Sequence, residues 1–390
     1  MRAMINHKEK YIGDSLYELD ISNQLSSIFK QEIQVSFSNT NTNTKFVKKF
    51  YIEVNSDSTL RLLIPFNACA YMFNYLSPTR NISKALLRLL KILYGLRVLQ
   101  YIRNFRVIEV SGLDNINWKK YCWVDSVAPD IFLIVGTPKK TQNAVVFLDS
   151  IKSNNGTLVL KSGLTKYSNL LNEFSSSKFI PQNKTKYLTY NSDEDFIVQQ
   201  FQEGFRKVSL ISENHIHYLS KMIRVSPKIA GNSTKKYLLD LLIKFQPANN
   251  LTIEKIHSLL KLLRTDVNFF SAYVHGDFAP YNMVYQIFPS KFFLIDWELS
   301  SEEGLALTDL FNYVYITDCL FGKKDSKNLD ESLYSSAATY FKHINHDLSR
   351  DLFIQYKIYF IINEFLHRLD DAGDKDVYVQ YLLNMIENEI

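Results

Sequence analysis

The chain has 390 residues, of which 46% are hydrophobic and 22% charged. Those shares sit near the globular average and exclude wholesale disorder, while only 12 glycines exclude collagen-like and Gly-rich low-complexity chains. The 45 basic and 40 acidic residues leave a net charge of +5, too mild and too mixed to indicate nucleic-acid binding by itself. At roughly 100–200 residues per domain, the length allows two or three domains. Cys69, Cys122 and Cys319 are far apart and odd in number, so neither a disulfide framework nor a Cys-based zinc site follows. The charged N-terminus lacks the apolar segment of a signal peptide, and no run of about 18 apolar residues predicts a membrane span. A cytoplasmic protein with reduced thiols is expected.

In chain order, the Asn/Thr-rich stretch 36–45 reads as a surface loop. Alternation between 46 and 66 predicts two strands. From Ser83 to about Phe105, leucines and isoleucines at three- and four-residue steps predict a helix carrying Lys84, Arg88, Lys91, Arg97 and Arg103 with no acid among them. Three strands follow between 131 and 161, the second and third joined by a turn at Asn154-Asn155-Gly156. A helix is expected from about Lys166 to Ser175, a loop around one short strand at 181–195, and a strand at 195–201. Beyond Gly204 the segments 237–245, 253–263 and 351–369 are helical, the last so apolar that it should be central. Strands first and helices later predict an α+β fold with separate lobes.

Chemistry concentrates in 273–300, YVHGDFAPYNMVYQIFPSKFFLIDWELS. Asp277 is placed in a loop where a carboxylate can accept the proton of an attacking hydroxyl. Asn282 follows five residues later, and Asp296 ends a short apolar strand. An amide oxygen and a second carboxylate are hard ligands suited to Mg²⁺. Phosphoryl transfer needs such a set: a base, a metal clamp and in-line positioning. A solvated loop with a chance Asp and a helix-capping Asp is the plainer reading of any one of these residues.

This segment resembles the aminoglycoside phosphotransferase and choline kinase-like family, whose fold resembles that of protein kinases. The family loop H-G-D-x-x-P-x-N is matched by His275, Gly276, Asp277, Pro280 and Asn282, and its I-D-[WF]-E segment by Ile295, Asp296, Trp297 and Glu298. A later Asp-Leu pair fits Asp309-Leu310. The resemblance is specific over 273–310, weaker over 126–272 and missing over 1–125. It implies a two-lobed, protein-kinase-like fold. A β-rich N-lobe would span 126–205 and a mainly helical C-lobe 206–390, after an N-terminal α/β extension over 1–125. It also implies an ATP-dependent phosphotransferase with Mg²⁺, acting on a small-molecule hydroxyl such as that of a sugar, aminoglycoside, amino alcohol or glycolipid precursor. Asp277 would be the base, with Asn282 and Asp296 the metal ligands.

The resemblance further requires a nucleotide clamp. Lys161 ends a strand in the family's V-A-I-K rhythm, with Lys166 a competitor, and Glu173 is the one acidic residue between 161 and 192 available as its partner. The phosphate-covering loop 136–143 keeps only Gly136 of a glycine-rich cradle, and its Lys139 and Lys140 suit either phosphate or a plain exposed hairpin tip. The stretch 198–204 matches the strand linking the lobes, where backbone groups around Gln200 to Gln202 would pair with adenine. Asp309 would support the loop from behind or cap a helix, Glu298 would be structural or stand behind the metal ligands, and His275 would orient the loop. His215 and His217 suggest a metal pair without a third ligand, or ordinary surface or core histidines. The acidic Glu302-Glu303 could attract a cationic acceptor or form a solvated turn. The helix around 83–105 either packs with its cations at the edges or meets an anionic membrane. A nucleotide-binding scaffold without turnover is the alternative function. A protein kinase fits less well, because the loop reads H-G-D and no A-P-E follows Asp296.

Overall fold

The computed structural model describes residues 20–37, 48–54, 60–66, 81–101, 105–123, 128–135, 142–149, 156–165, 169–180, 185–245, 247, 249–286, 292–322 and 329–388. The chain divides into two units, Met1–Leu171 with Lys186–Gln202, and Asn172–Thr185 with Glu203–Ile390.

The first unit opens with helix α1 (20–29), which the sequence reading did not foresee. Ile21, Leu25, Ile28 and Phe29 recur at helical spacing and are all buried. Strands β1 (Gln34–Phe37), β2 (Lys48–Val54) and β3 (Leu60–Pro65) follow, then helix α2 (Asn81–Gly95) and strand β4 (Phe105–Ser111). The helix expected to reach Phe105 therefore ends ten residues earlier. Gly95 is a poor helix former, Arg97 adopts a left-handed backbone with φ 58°, and FRVIEVS alternates as a strand does.

Next come β5 (Asp130–Val135), β6 (Asn143–Asp149) and β7 (Leu158–Gly163), the three strands expected there. Gly156 has the positive φ of 68° expected at the turn before β7, while Asn154 and Asn155 lie outside the described residues. Helix α3 (Leu170–Phe179) separates β7 from β8 (Tyr187–Asn191) and β9 (Phe196–Gln200). The nine strands form one antiparallel sheet in the order β1-β4-β2-β3-β5-β6-β7-β9-β8. Leu62 and Leu63 of β3 pair with Ile134 and Leu133 of β5, so the 1–125 region shares a sheet and a unit with the start of the expected N-lobe.

Period-two alternation divides the sheet's side chains between two faces. Phe50, Ile52, Ile108, Leu133 and Val146 pack with α1 on one face, and Tyr51, Leu62, Phe132 and Phe147 pack with α2 on the other. Hydrogen bonds fix α1 there: Ser162 Oγ donates to Ile28 O at 3.3 Å and Tyr121 Oη to Phe29 O at 2.9 Å.

The second unit is mainly helical, as expected beyond Gly204. Its elements are α4 (Glu213–Ser220), β10 (Ile223–Ala230), α5 (Gly231–Lys244), α6 (Asn250–Leu262), β11 (Asn268–Val274), β12 (Met283–Tyr285), β13 (Phe292–Leu294), β14 (Ser301–Leu305), α7 (Thr308–Phe321), α8 (Leu329–Lys342), α9 (Arg350–Ala372) and α10 (Val377–Glu387). Ser349 caps α9 by accepting from Leu352 N, and Phe353, Tyr356, Phe360 and Ile361 bury the helix at the centre of the core, as its apolar sequence requires. Strand β11 lies between β10 and β14, which fixes the point from which the 275–282 loop leaves the sheet. Among the described residues no helix is long and apolar enough to cross a membrane.

Candidate active site

Strand β11 delivers His275 at its end. Gly276 then turns the chain with φ 80°, and a Cβ there would lie 2.2 Å from Leu299 O, so only glycine fits this close backbone approach. The loop is held from behind by Asp309 in the first turn of α7. Its carboxylate accepts from His275 N at 2.7 Å and Gly276 N at 3.0 Å. Burial pushes the Asp309 pKa up to about 7, against the two N–H donors that favour the charged form. Asp309 thus takes the loop-supporting place that the resemblance implied.

His275 is fully buried, and its hydrogen bonds fix its tautomer. Asp277 N donates to Nδ1 at 3.3 Å, so Nε2 carries the proton and donates to Ile295 O at 2.9 Å. The ring ties the loop to the Ile295–Trp297 segment, and the Trp297 indole packs beside it at 4.6 Å between centroids. His275 therefore orients the loop, as expected.

Asn282 follows Pro280 in a short 3₁₀ turn and is buried. Its Nδ2 donates to Asp277 Oδ2 at 2.9 Å and Asp277 O at 3.0 Å, which leaves the amide oxygen as the atom these bonds do not use. Strands β12 and β13 then form a two-stranded ribbon with Met283 opposite Leu294. One step further, Ile295 N donates to Asn282 O at 3.0 Å. This register brings Ile295, the residue before Asp296, onto the backbone of Asn282.

Asp296 has a left-handed backbone with φ 69°, a strained conformation for a residue with a Cβ and one common at functional sites. Its carboxylate lies with those of Glu173 and Glu298, one oxygen from each within 4.8 Å of the others. Asn172 Nδ2 donates to Glu298 O at 2.8 Å and Ser300 O at 2.7 Å, pinning the 298–300 turn to the start of α3. Three carboxylates this close repel one another unless a cation lies among them. The donors are hard oxygens of the kind that hold Mg²⁺, so the set fits that ion. Glu173 is fully buried in the first turn of α3, among Asp296 and Glu298.

Lys161, in the first unit, is buried on β7 between Val145 of β6 and Ile197 of β9. Its competitor Lys166 lies outside the described residues, as do Gly136, Lys139 and Lys140. Gln200 N–H is spent on Lys186 O at 2.9 Å and Phe201 N–H on Thr157 O at 3.0 Å. Gln200 therefore has no backbone donor left for a base edge, and Gln202 lies just past the strand.

Two neighbours of Asp277 were not foreseen. Arg368 on α9 reaches Asp277 Oδ1 with Nη2 at 2.9 Å and Glu364 Oε1 with Nε at 2.7 Å, and Tyr281 Oη donates to Asp277 Oδ1 at 2.9 Å. Burial works against the Arg368 charge, but Glu364 and Asp277 outweigh it and hold the pKa well above its ordinary value. The i,i+4 spacing of Glu364 and Arg368 was a legible helix pair, yet nothing local connects it with a loop 91 residues earlier. Arg206 was also missed: burial pulls its pKa down and Asp296 opposes that pull.

The histidine pair resolves as structural. Both residues lie on α4, and His215 is buried, with Nδ1 accepting from Ser212 and Nε2 donating to Tyr285 Oη at 2.8 Å. Desolvation pulls its pKa down to about 4, so it stays neutral. His217 packs its ring on His343 instead. Glu302 belongs to β14 and pairs with Arg224 at 3.2 Å.

No family model matches the chain, and no curated protein matches it. Solved structures do. The chain is similar to a thermostable mutant of the aminoglycoside phosphotransferase APH(4)-Ia in ternary complex with ADP and hygromycin B. The identity is 11%, the match covers 71% of this chain and 98% of that one, and the TM-score is 0.45. It is similar also to ethanolamine kinase from Plasmodium vivax, at 12% identity over 69% of this chain and 84% of that one, with a TM-score of 0.39. A third likeness is to ADP-bound aminoglycoside phosphotransferase APH(2'')-Ib, at 13% identity over 65% and 92% of the two chains, with a TM-score of 0.37.

Proposed function

We propose that the protein is an ATP-dependent phosphotransferase that moves the γ-phosphate to a hydroxyl of a small molecule. The observations that support this reading are the hydrogen bond from Asn282 to Asp277 and the strand register that brings the residue before Asp296 onto Asn282. Asp277 would accept the acceptor hydroxyl's proton as that oxygen attacks phosphorus in line with the departing ADP oxygen. Asn282, through its amide oxygen, and Asp296 would hold Mg²⁺, with Glu298 and Glu173 beside them. When bound, the ion would neutralise charge on the phosphates. Lys161 would contact the α- and β-phosphates, and its pairing with Glu173 is part of the proposal. Gln202, and the carbonyl side of Gln200, would face adenine, and Gly136 would lie at the phosphates. Such catalysis is mostly positioning and charge stabilisation.

A second reading, a nucleotide-binding scaffold, is favoured by one observation. Both oxygens of Asp277 are already engaged, one by Arg368 and Tyr281 and the other by Asn282. Nucleotide binding measured by calorimetry with and without Mg²⁺ tests the metal site common to both readings. Asp296→Ala should weaken Mg²⁺–ATP binding, whereas Asp277→Ala should leave it largely intact. Equal binding by the wild type and the Asp296 variant would remove Asp296 from the metal site.

A further inference from the structure

Helix α2 is apolar on two faces. Leu87, Leu90 and Leu93 lie inward against a cluster containing Tyr51, Leu62 and Ile64, and Tyr94 Oη donates to Pro65 O at 2.6 Å. That face accounts for the helix's place in the fold. On the other face, Leu86, Leu89, Ile92 and Leu96 are between 50% and 65% exposed, and Tyr101 just beyond is 79% exposed. At about 100° per residue, Leu86, Leu89, Leu96 and Ile92 fill an arc of about 120°, and Arg88 lies about 40° beyond its Ile92 edge. A contiguous exposed stripe of this kind marks an interaction surface, unlike single scattered leucines.

Charge selects the partner. From Ser58 to Ile108 the sequence has no Asp or Glu, while Arg88 borders the stripe. A second copy of the chain would place like charges opposite one another, since a two-fold interface sets each patch against itself. An anionic protein could match that charge but would need its own apolar ridge. A bilayer carrying anionic headgroups supplies both halves: negative charge for the arginine, and an acyl boundary for the leucines. The helix has 15 residues, short of the roughly 20 needed to span a bilayer, and so would lie in the plane of the interface.

We propose that the exposed stripe of α2, with Arg88 at its side, docks the protein on anionic membrane surfaces. This does not rest on the phosphotransferase reading.

Flotation of the full-length protein with vesicles tests it. Vesicles of phosphatidylcholine mixed with phosphatidylglycerol should bind at low salt, and vesicles of phosphatidylcholine alone should bind at least about tenfold more weakly. Added salt should loosen the contact. Leu89→Glu with Ile92→Glu, and separately Arg88→Glu, should each cut binding to the mixed vesicles by about tenfold or more. Both variants alter the outer side of the helix, and circular dichroism should show the wild-type fold. Equal binding to both vesicle types would overturn the proposal. So would unchanged binding by the leucine–isoleucine variant, which would make the contact purely ionic. Vesicle indifference together with a wild-type dimer that this variant abolishes would reassign the stripe to self-association.

Discussion

Arg368 is the residue on which the state of Asp277 turns. It is buried between two carboxylates, so removing it leaves Asp277 and Glu364 without the charge that compensates them. Arg368→Ala is expected to cost about 3–5 kcal/mol of stability, read from the urea midpoint. Arg368→Lys keeps the charge without the two-pronged geometry and should retain part of it. Adding Glu364→Gln to the alanine variant should restore some of the loss, and an alanine variant as stable as wild type would contradict the network. Asp309 makes a prediction in pH. Its pKa rises to about 7 in the folded protein, from about 4 in the unfolded chain. The protonated form is therefore favoured by folding. The group's contribution is complete below about pH 4 and is lost as pH rises through about 7. Asp309→Asn cannot titrate, so the stability of wild type relative to this variant should fall between pH 5 and pH 8. A gap that stays constant with pH would mean that Asp309 does not titrate there.

Two local elements hold the site: the Gly276 turn and the β12–β13 ribbon. Gly276→Ala forces a Cβ into a left-handed conformation, at about 1–2 kcal/mol, and also against Leu299 O. That contact is with backbone and cannot be relieved by rotating a side chain. The variant should lose more stability than this conformational cost, measured by thermal denaturation, and should lose phosphoryl transfer. At this scale the sequence was legible where periodicity is strong and local. β2, β3, β5 to β9, α5, α6 and α9 stand where alternation or helical spacing put them. α1 and β4 were missed for different reasons. α1 is a single short helix with few apolar positions, and β4 follows a leucine-rich helix whose pattern ran into it. The ribbon itself could be guessed as strands, but not that its register would bring Ile295, the residue before Asp296, onto the backbone of Asn282. Register depends on pairing across the connection between the two strands, which no local pattern encodes.

For the whole molecule, motif residues were readable because their spacing is short, from His275 to Asn282 and from Ile295 to Glu298. Arg368, Arg206 and the gathering of Glu173 with Asp296 and Glu298 were not, because each joins segments far apart in sequence. Glu173 was picked as the sole acid in its stretch, with lysine as its expected partner, and its carboxylate neighbours emerged only from the fold. The region 1–125 carried no motif, yet supplies β1 to β4 of the nine-stranded sheet. The account therefore stands on the 273–310 chemistry. Its most direct test is acceptor-dependent ADP formation from Mg²⁺ and ATP, with small-molecule extracts supplying the hydroxyl, in wild type and in Asp277→Ala. Wild type should form ADP, and the variant should bind nucleotide with similar affinity yet form none. ADP formation at the same rate by both, or by neither while both bind, would contradict a base at Asp277.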